Sequence, residues 1–142
     1  MEPDNARVIR RLYEVFNQLD SDPAARHGSD AERKALEFFH PDVEFIQPEI
    51  QVDQVELRGR EALRRVWDEW LTLWESQTSR IVETVERGQR ILVVSRNQFR
   101  SREGIELEQV GHELYTFRDG LIVRFQAFLA DGDSAREALE QD

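Results

Sequence analysis

Cysteine is absent from this 142-residue chain, and lysine nearly so. The first absence excludes a disulfide framework and every thiolate metal site. The second leaves Lys34 as the one amine for Schiff-base chemistry, and it stands in a Glu32-Arg33-Lys34 run that reads as a solvated helix face. There is no Gly-rich phosphate loop. No apolar run approaches the roughly 20 residues that span a bilayer. The start, Met1-Glu2-Pro3-Asp4-Asn5, lacks the apolar core of a signal peptide. Positive charge is also short: the net charge is −10. Nucleic acids and anionic membranes both call for a basic footprint, so neither is expected as a partner. The expectation is one cytoplasmic domain over residues 1–142.

What is present is periodic. Val8, Leu12, Val15, Phe16 and Leu19 share one helical face over 5–19, with Asp4 or Asn5 as N-cap. Residues 20–29 read as a polar loop. Ser29 and Glu32 form a capping box for a short helix that buries Ala35, Leu36 and Phe39 and stops at His40-Pro41. A strand over 43–47 ends at Pro48, and 49–58 is irregular. Arg58-Gly59-Arg60-Glu61 opens the longest helix, with Leu63, Val66, Trp67, Trp70, Leu71 and Trp74 in one stripe. From Thr78 the period changes to that of strands, over 79–87, 90–102, 105–118 and 121–129. Gly88-Gln89, Glu103-Gly104 and Asp119-Gly120 separate them, the last two being two-residue hairpin signals. Ser134 and Glu137 mark a closing helix over 135–140. Helices followed by an antiparallel meander give an α+β fold with helices packed on the sheet.

Four segments carry a resemblance. They are Leu12-Tyr13-Glu14-Val15-Phe16-Asn17, Phe39-His40-Pro41-Asp42-Val43-Glu44-Phe45, Arg58-Gly59-Arg60-Glu61-Ala62-Leu63, and the stretch from Tyr115-Thr116-Phe117 through Asp119-Gly120 to Arg124. In this order the chain resembles the nuclear transport factor 2-like superfamily, and within it the SnoaL-like group. The resemblance implies a cone-shaped, strongly curved antiparallel sheet with N-terminal helices on its concave face. It also implies one small-molecule pocket, no cofactor and no metal. It does not name an activity, because the fold hosts isomerases, hydrolases, cyclases, dehydratases and non-catalytic domains.

Steroid-isomerase relatives place a tyrosine, a base and a protonated aspartate where this chain has Leu12, Gln47 and Glu113. Gln47 cannot act as a base, and Tyr13 is one residue, about 100° of helix, out of register. The Asp-Arg-Asp relay of limonene-epoxide-hydrolase relatives falls on Gln98, Arg96 and Ala127, and an arginine alone does not activate water. SnoaL-like cyclases carry acid–base residues on the last two strands; Glu113 matches there, whereas Ala127 and Ala130 do not.

The resemblance anchors the faces of the strands, and alternation extends them along each strand. The inward sets are Val94, Arg96 and Gln98; Glu113, Tyr115 and Phe117; and Val123, Phe125, Ala127 and Leu129. Glu113 is the candidate acid or base, and equally a structural partner of Arg96. Arg96 and Gln98 would meet a ligand oxygen. Tyr13, Trp67, Tyr115, Phe117, Phe125 and Gln47 would line the pocket, although Trp67 also reads as core. His112 is expected on the outer face, and the three histidines are too scattered for a metal site. Outward Phe99, Ile122 and Leu114 suggest a homodimer through the outer sheet face. Residues 20–29 or 49–58 are expected to be mobile and to flank the pocket mouth. The functional expectation is an isomerase, cyclase or hydratase-type acid–base protein acting on a hydrophobic carbonyl compound. The alternative is a non-catalytic dimeric ligand-binding or adaptor domain.

Overall fold

The structure is a computed structural model that describes residues 4–46 and 57–141. Its helices are α1 (Asn5–Phe16), α2 (Pro23–Arg26), α3 (Asp30–Glu37), α4 (Arg60–Leu71) and α5 (Gly132–Glu140). Its strands are β1 (Phe39–Ile46), β2 (Leu57–Arg58), β3 (Trp74–Arg87), β4 (Arg90–Ser101), β5 (Glu106–Arg118) and β6 (Leu121–Ala127). The strands make one curved, unclosed sheet in the order β2-β1-β6-β5-β4-β3. Every neighbouring pair is antiparallel except β1 with β6.

The main core lies between the concave face and the helices. Ile9, Leu12, Ala35 and Leu63 pack there against Ile91, Val93 and Phe117. On the other face α5 covers a smaller cluster, with Ala135 and Leu139 over Leu92 and Leu114.

Local chemistry sets the helix starts. Asp4 accepts from the Arg7 N–H, and Ser29 accepts from the Glu32 N–H. Glu32 returns to the Gly28 N–H at 3.1 Å, one residue earlier than a standard capping box. Gly59 precedes α4 at φ 95°, where a side chain would be strained, and its N–H reaches the Val43 carbonyl at 2.7 Å. Asp119 and Gly120 both have positive φ, as a tight two-residue hairpin requires.

Several boundaries differ from the sequence reading. Helix α1 ends at Phe16, with Asn17 as its C-cap. Phe39 opens β1 rather than closing a helix. Trp74 opens β3, yet it stays with the aromatic stripe by stacking on Phe99 at 4.7 Å. The Ser101–Glu106 connection is wider than two residues. Helix α5 starts at Gly132 because Asp131, not Ser134, is its N-cap. Within 20–29, α2 buries Arg26, which donates to the Asp20 carbonyl at 2.6 Å and pairs with Asp68 at 2.8 Å. That stretch is tied down rather than a free polar loop.

The face assignment on β4 is off by one residue. Ile91, Val93, Ser95 and Phe99 are buried, whereas Arg96, Gln98 and Arg100 are exposed. On β6 a register shift between Ile122 and Arg124 turns Ile122 into the main core. A bulge of this kind reverses alternation without leaving a polar residue to announce it.

Candidate functional site

The concave face and helices α1 and α4 enclose a cavity of about 520 Å³. Its walls are largely aromatic, with Trp67 and Trp70 on the helix side and Tyr115 and Phe125 on the sheet. Tyr115 and Phe125 stack at 4.8 Å. Glu69, Leu73 and Gln109 also line the cavity and are exposed, so they mark its open end.

Polar groups gather at one place on the sheet wall. The Tyr13 hydroxyl donates to Glu113 Oε1 at 2.6 Å and lies 2.9 Å from the Tyr115 hydroxyl. Ser95 Oγ donates to Glu113, 2.9 Å from Oε1 and 3.2 Å from Oε2. Asn97 Nδ2 donates to Ser95 Oγ at 3.2 Å, and Ser79 Oγ donates to Asn97 Oδ1 at 2.6 Å. Asn17 pins the far end, holding the Ser79 N–H and carbonyl at 2.8 and 2.9 Å. One chain of hydrogen bonds thus links the end of α1, strands β3 and β4, and Glu113.

Gly111 makes the cluster possible. It lies opposite Ser95 in the β4–β5 register. A Cβ there would fall 2.8 Å from Glu113 Oε2 and 2.9 Å from both Ser95 Oγ and Asn97 Nδ2. Only glycine lets all three polar atoms approach the strand.

No cation faces Glu113 among the described cavity-lining residues. Burial pushes its carboxyl above the usual range, and the hydrogen bonds from Tyr13 and Ser95 and the charge of His112 only partly oppose this. Burial, reinforced by the Glu113 charge, likewise holds the Tyr13 and Tyr115 hydroxyls well above the ordinary phenol value. Both tyrosines therefore remain donors at neutral pH.

Of the residues singled out from the sequence, Glu113, Tyr13, Tyr115, Trp67 and Phe125 meet at this cavity. Tyr13 reaches Glu113 although it stands one residue from the steroid-isomerase position. Phe117 does not line the cavity; it is packed in the core. Arg96 is on the outer face, half exposed and paired with Glu108 at 3.2 Å, so it is neither a ligand contact nor the partner of Glu113. Gln98 is exposed on the same face for the same reason of register. Gln47 and residues 49–56 lie outside the described residues, and nothing from 20–29 lines the cavity. His112 does point outward, its Nδ1 2.8 Å from the Leu129 carbonyl oxygen.

Sequence reasoning missed Ser95, Asn97 and Ser79. The one hint of phase was Gln98-Phe99-Arg100, where a large apolar residue stands between two polar ones. His27, Glu32 and Asp68 bring one donor atom each within 4.8 Å. However, Asp68 is already held by Arg26 at 2.8 Å with Arg64 at 3.6 Å, two positive charges that oppose a metal ion there.

The SnoaL-like domain model matches residues 9–125. No curated protein matches the chain in sequence. Among solved structures, an NTF2-like protein of unknown function from Burkholderia pseudomallei has a TM-score of 0.74 at 17% identity, covering 95% of this chain and 97% of its own. TerC co-crystallised with polyporic acid has a TM-score of 0.71 at 21% identity, covering 96% and 98%. A protein described as a SnoaL-like polyketide cyclase, from Jannaschia sp. CCS1, has a TM-score of 0.68 at 17% identity, covering 97% and 92%. Matched by the family model over most of its length and sharing the fold of these structures, the chain belongs to the SnoaL-like family of the NTF2-like superfamily.

Proposed function

We propose that this protein is a cofactor-independent acid–base enzyme acting on a hydrophobic carbonyl compound held in the cone. The reaction class is proton transfer at carbon, or the addition or loss of water. One observation carries the reading: a carboxyl group sits in an aromatic cavity, fixed by two hydroxyl donors, with no cation on the described cavity lining. Such an environment brings a carboxyl pKa closer to the working pH of a general acid or base.

The hydrogen bonds suggest how charge is handled. While Glu113 is ionised, Tyr13 and Ser95 both donate to it. When Glu113 takes a proton from a carbon next to the substrate carbonyl, it no longer needs the Tyr13 donor. The Tyr13–Tyr115 pair can run in either direction, so a hydroxyl hydrogen is freed for the enolate oxygen. Glu113 then returns the proton to another carbon, or to a leaving hydroxyl. The similar folds include TerC co-crystallised with polyporic acid and a protein described as a SnoaL-like polyketide cyclase, which supports reading the cavity as a small-molecule site.

The test is a panel of hydrophobic ketones assayed with the wild-type protein and with Glu113→Gln. Turnover of any substrate found should fall by about 100-fold or more in the variant, with binding retained. Unchanged turnover in Glu113→Gln would remove Glu113 as the acid–base group, and binding without turnover by the wild-type protein would leave only non-catalytic ligand binding.

A further inference from the structure

The chain holds 19 lysine and arginine residues and 3 histidines, and not one lines the cavity. Residues 1–3, 47–56 and 142, outside the described part, contain no arginine, lysine or histidine and cannot supply one. Among the described residues, the ionisable carboxylates on the lining are Glu113 deep in the cone and Glu69 at the mouth. Two of the arginines away from the cavity have acidic partners, Arg96 with Glu108 and Arg26 with Asp68. The hydroxyl donors at the deep end already converge on Glu113.

An anionic ligand entering this cone would lose its water and find no compensating charge on the lining; His112, whose charge reaches Glu113, is turned away from it toward the Leu129 carbonyl. Burying an unpaired charge is costly, and a second carboxylate nearby makes it worse. Resting on the reading of the cavity as a substrate pocket, we propose that the cone is an anion filter. It takes uncharged ring compounds whose polar group is a ketone, enol or phenol. It rejects carboxylates, phosphates and sulfates. The aromatic walls bind the ring body without regard to charge, so selection falls on the one polar end beside Tyr115 and Glu113. A substrate must then reach this protein after any acid group has been removed or esterified, and a phosphate-bearing carrier would have to remain outside the cone.

The experiment compares two probes of equal ring size, 2-acetylnaphthalene and 2-naphthoate, by calorimetry and by quenching of tryptophan fluorescence at pH 8. The ketone is expected to bind at least 100-fold more tightly than the carboxylate. In Glu113→Gln the ketone should still bind, and the gap should narrow by up to about tenfold as the like charge disappears but persist, because the lining still offers no cation. Equal binding of both probes to the wild-type protein would overturn the filter, as would tighter binding of the carboxylate. If neither probe binds at millimolar concentration, the pocket reading falls and the filter with it. If the filter holds while Glu113→Gln keeps full turnover, only the catalytic reading falls.

Discussion

Glu113 links the chemistry of the cavity to the stability of the fold, and the sign of that link is testable. Its carboxyl is raised in the folded state, mainly by burial, so the folded protein holds this proton more tightly than the unfolded chain does. The group's contribution is therefore fully present below the ordinary carboxyl range and is lost as pH rises through the folded value. A glutamine at 113 is blind to this change. Urea melts of wild type and Glu113→Gln should converge in acid, with the variant gaining relative stability toward pH 7; the opposite trend would contradict the burial argument. Gly111 tests the geometry of the same group. Because its φ is not in the left-handed region, Gly111→Ala acts through space alone, forcing Glu113, Ser95 or Asn97 to move. The expected cost is about 1–3 kcal/mol in a urea melt, with loss of ketone binding or turnover. Arg96→Ala, by contrast, removes one half-exposed ion pair and should change stability by about 0.5 kcal/mol or less, leaving activity intact. At this scale Glu113, Tyr13 and Tyr115 were legible in the sequence, because large or charged residues stand out on a strand or helix. Ser95 and Asn97 were not, since small polar residues acquire meaning only once the register is known.

The order of the elements was legible; their faces and edges were less so, for reasons that can be named. In Ile91-Leu92-Val93-Val94 alternation gives no answer, because helix α5 covers Leu92 on one side while the main core takes Ile91 and Val93 on the other. A run buried on both faces has no polar phase. The shift near Ile122 defeats alternation in a second way, through backbone geometry that no side chain advertises. Trp74 defeats the helix boundary, since an aromatic stripe continues across the step from α4 to β3. The placement of α1 depends on a feature outside both periods: its C-cap, Asn17, clasps the Ser79 peptide unit from both sides. Asn17→Ala leaves that N–H and carbonyl without side-chain partners. It should cost about 1–3 kcal/mol, read by thermal or urea melting, and should loosen Tyr13 from Glu113. A loss below about 0.5 kcal/mol would mean that apolar packing alone seats the helix.

For the whole molecule, the question is how the sheet meets another copy. The homodimer expected from the sequence rested on an outer face carrying Phe99, Ile122 and Leu114. Phe99 and Ile122 face inward, and Leu114 lies beneath α5. Among the described residues the exposed large apolar side chains lie elsewhere: Leu73 at the cavity mouth, Val82 on β3, and a group of three, Ile105, Leu107 and Val110, toward the β4–β5 hairpin. Strand β6 pairs with β5 only from Glu113 onward, and the Phe128 N–H donates to the His112 carbonyl, so among the described residues the segment from Glu106 to Gly111 has an open edge. Open, partly apolar strand edges are where a second chain can add, and a two-fold axis would set this edge against itself. We therefore propose that any homodimer forms here rather than across the outer face. A net charge of −10 per chain opposes association, so higher salt should tighten it by screening. Light scattering at micromolar concentration should give the dimer mass at moderate salt, and Val110→Glu or Leu107→Glu should give the monomer with an unchanged melt. A wild-type monomer at all salt concentrations would remove the dimer altogether, whereas a dimer indifferent to both substitutions would place the interface on another surface.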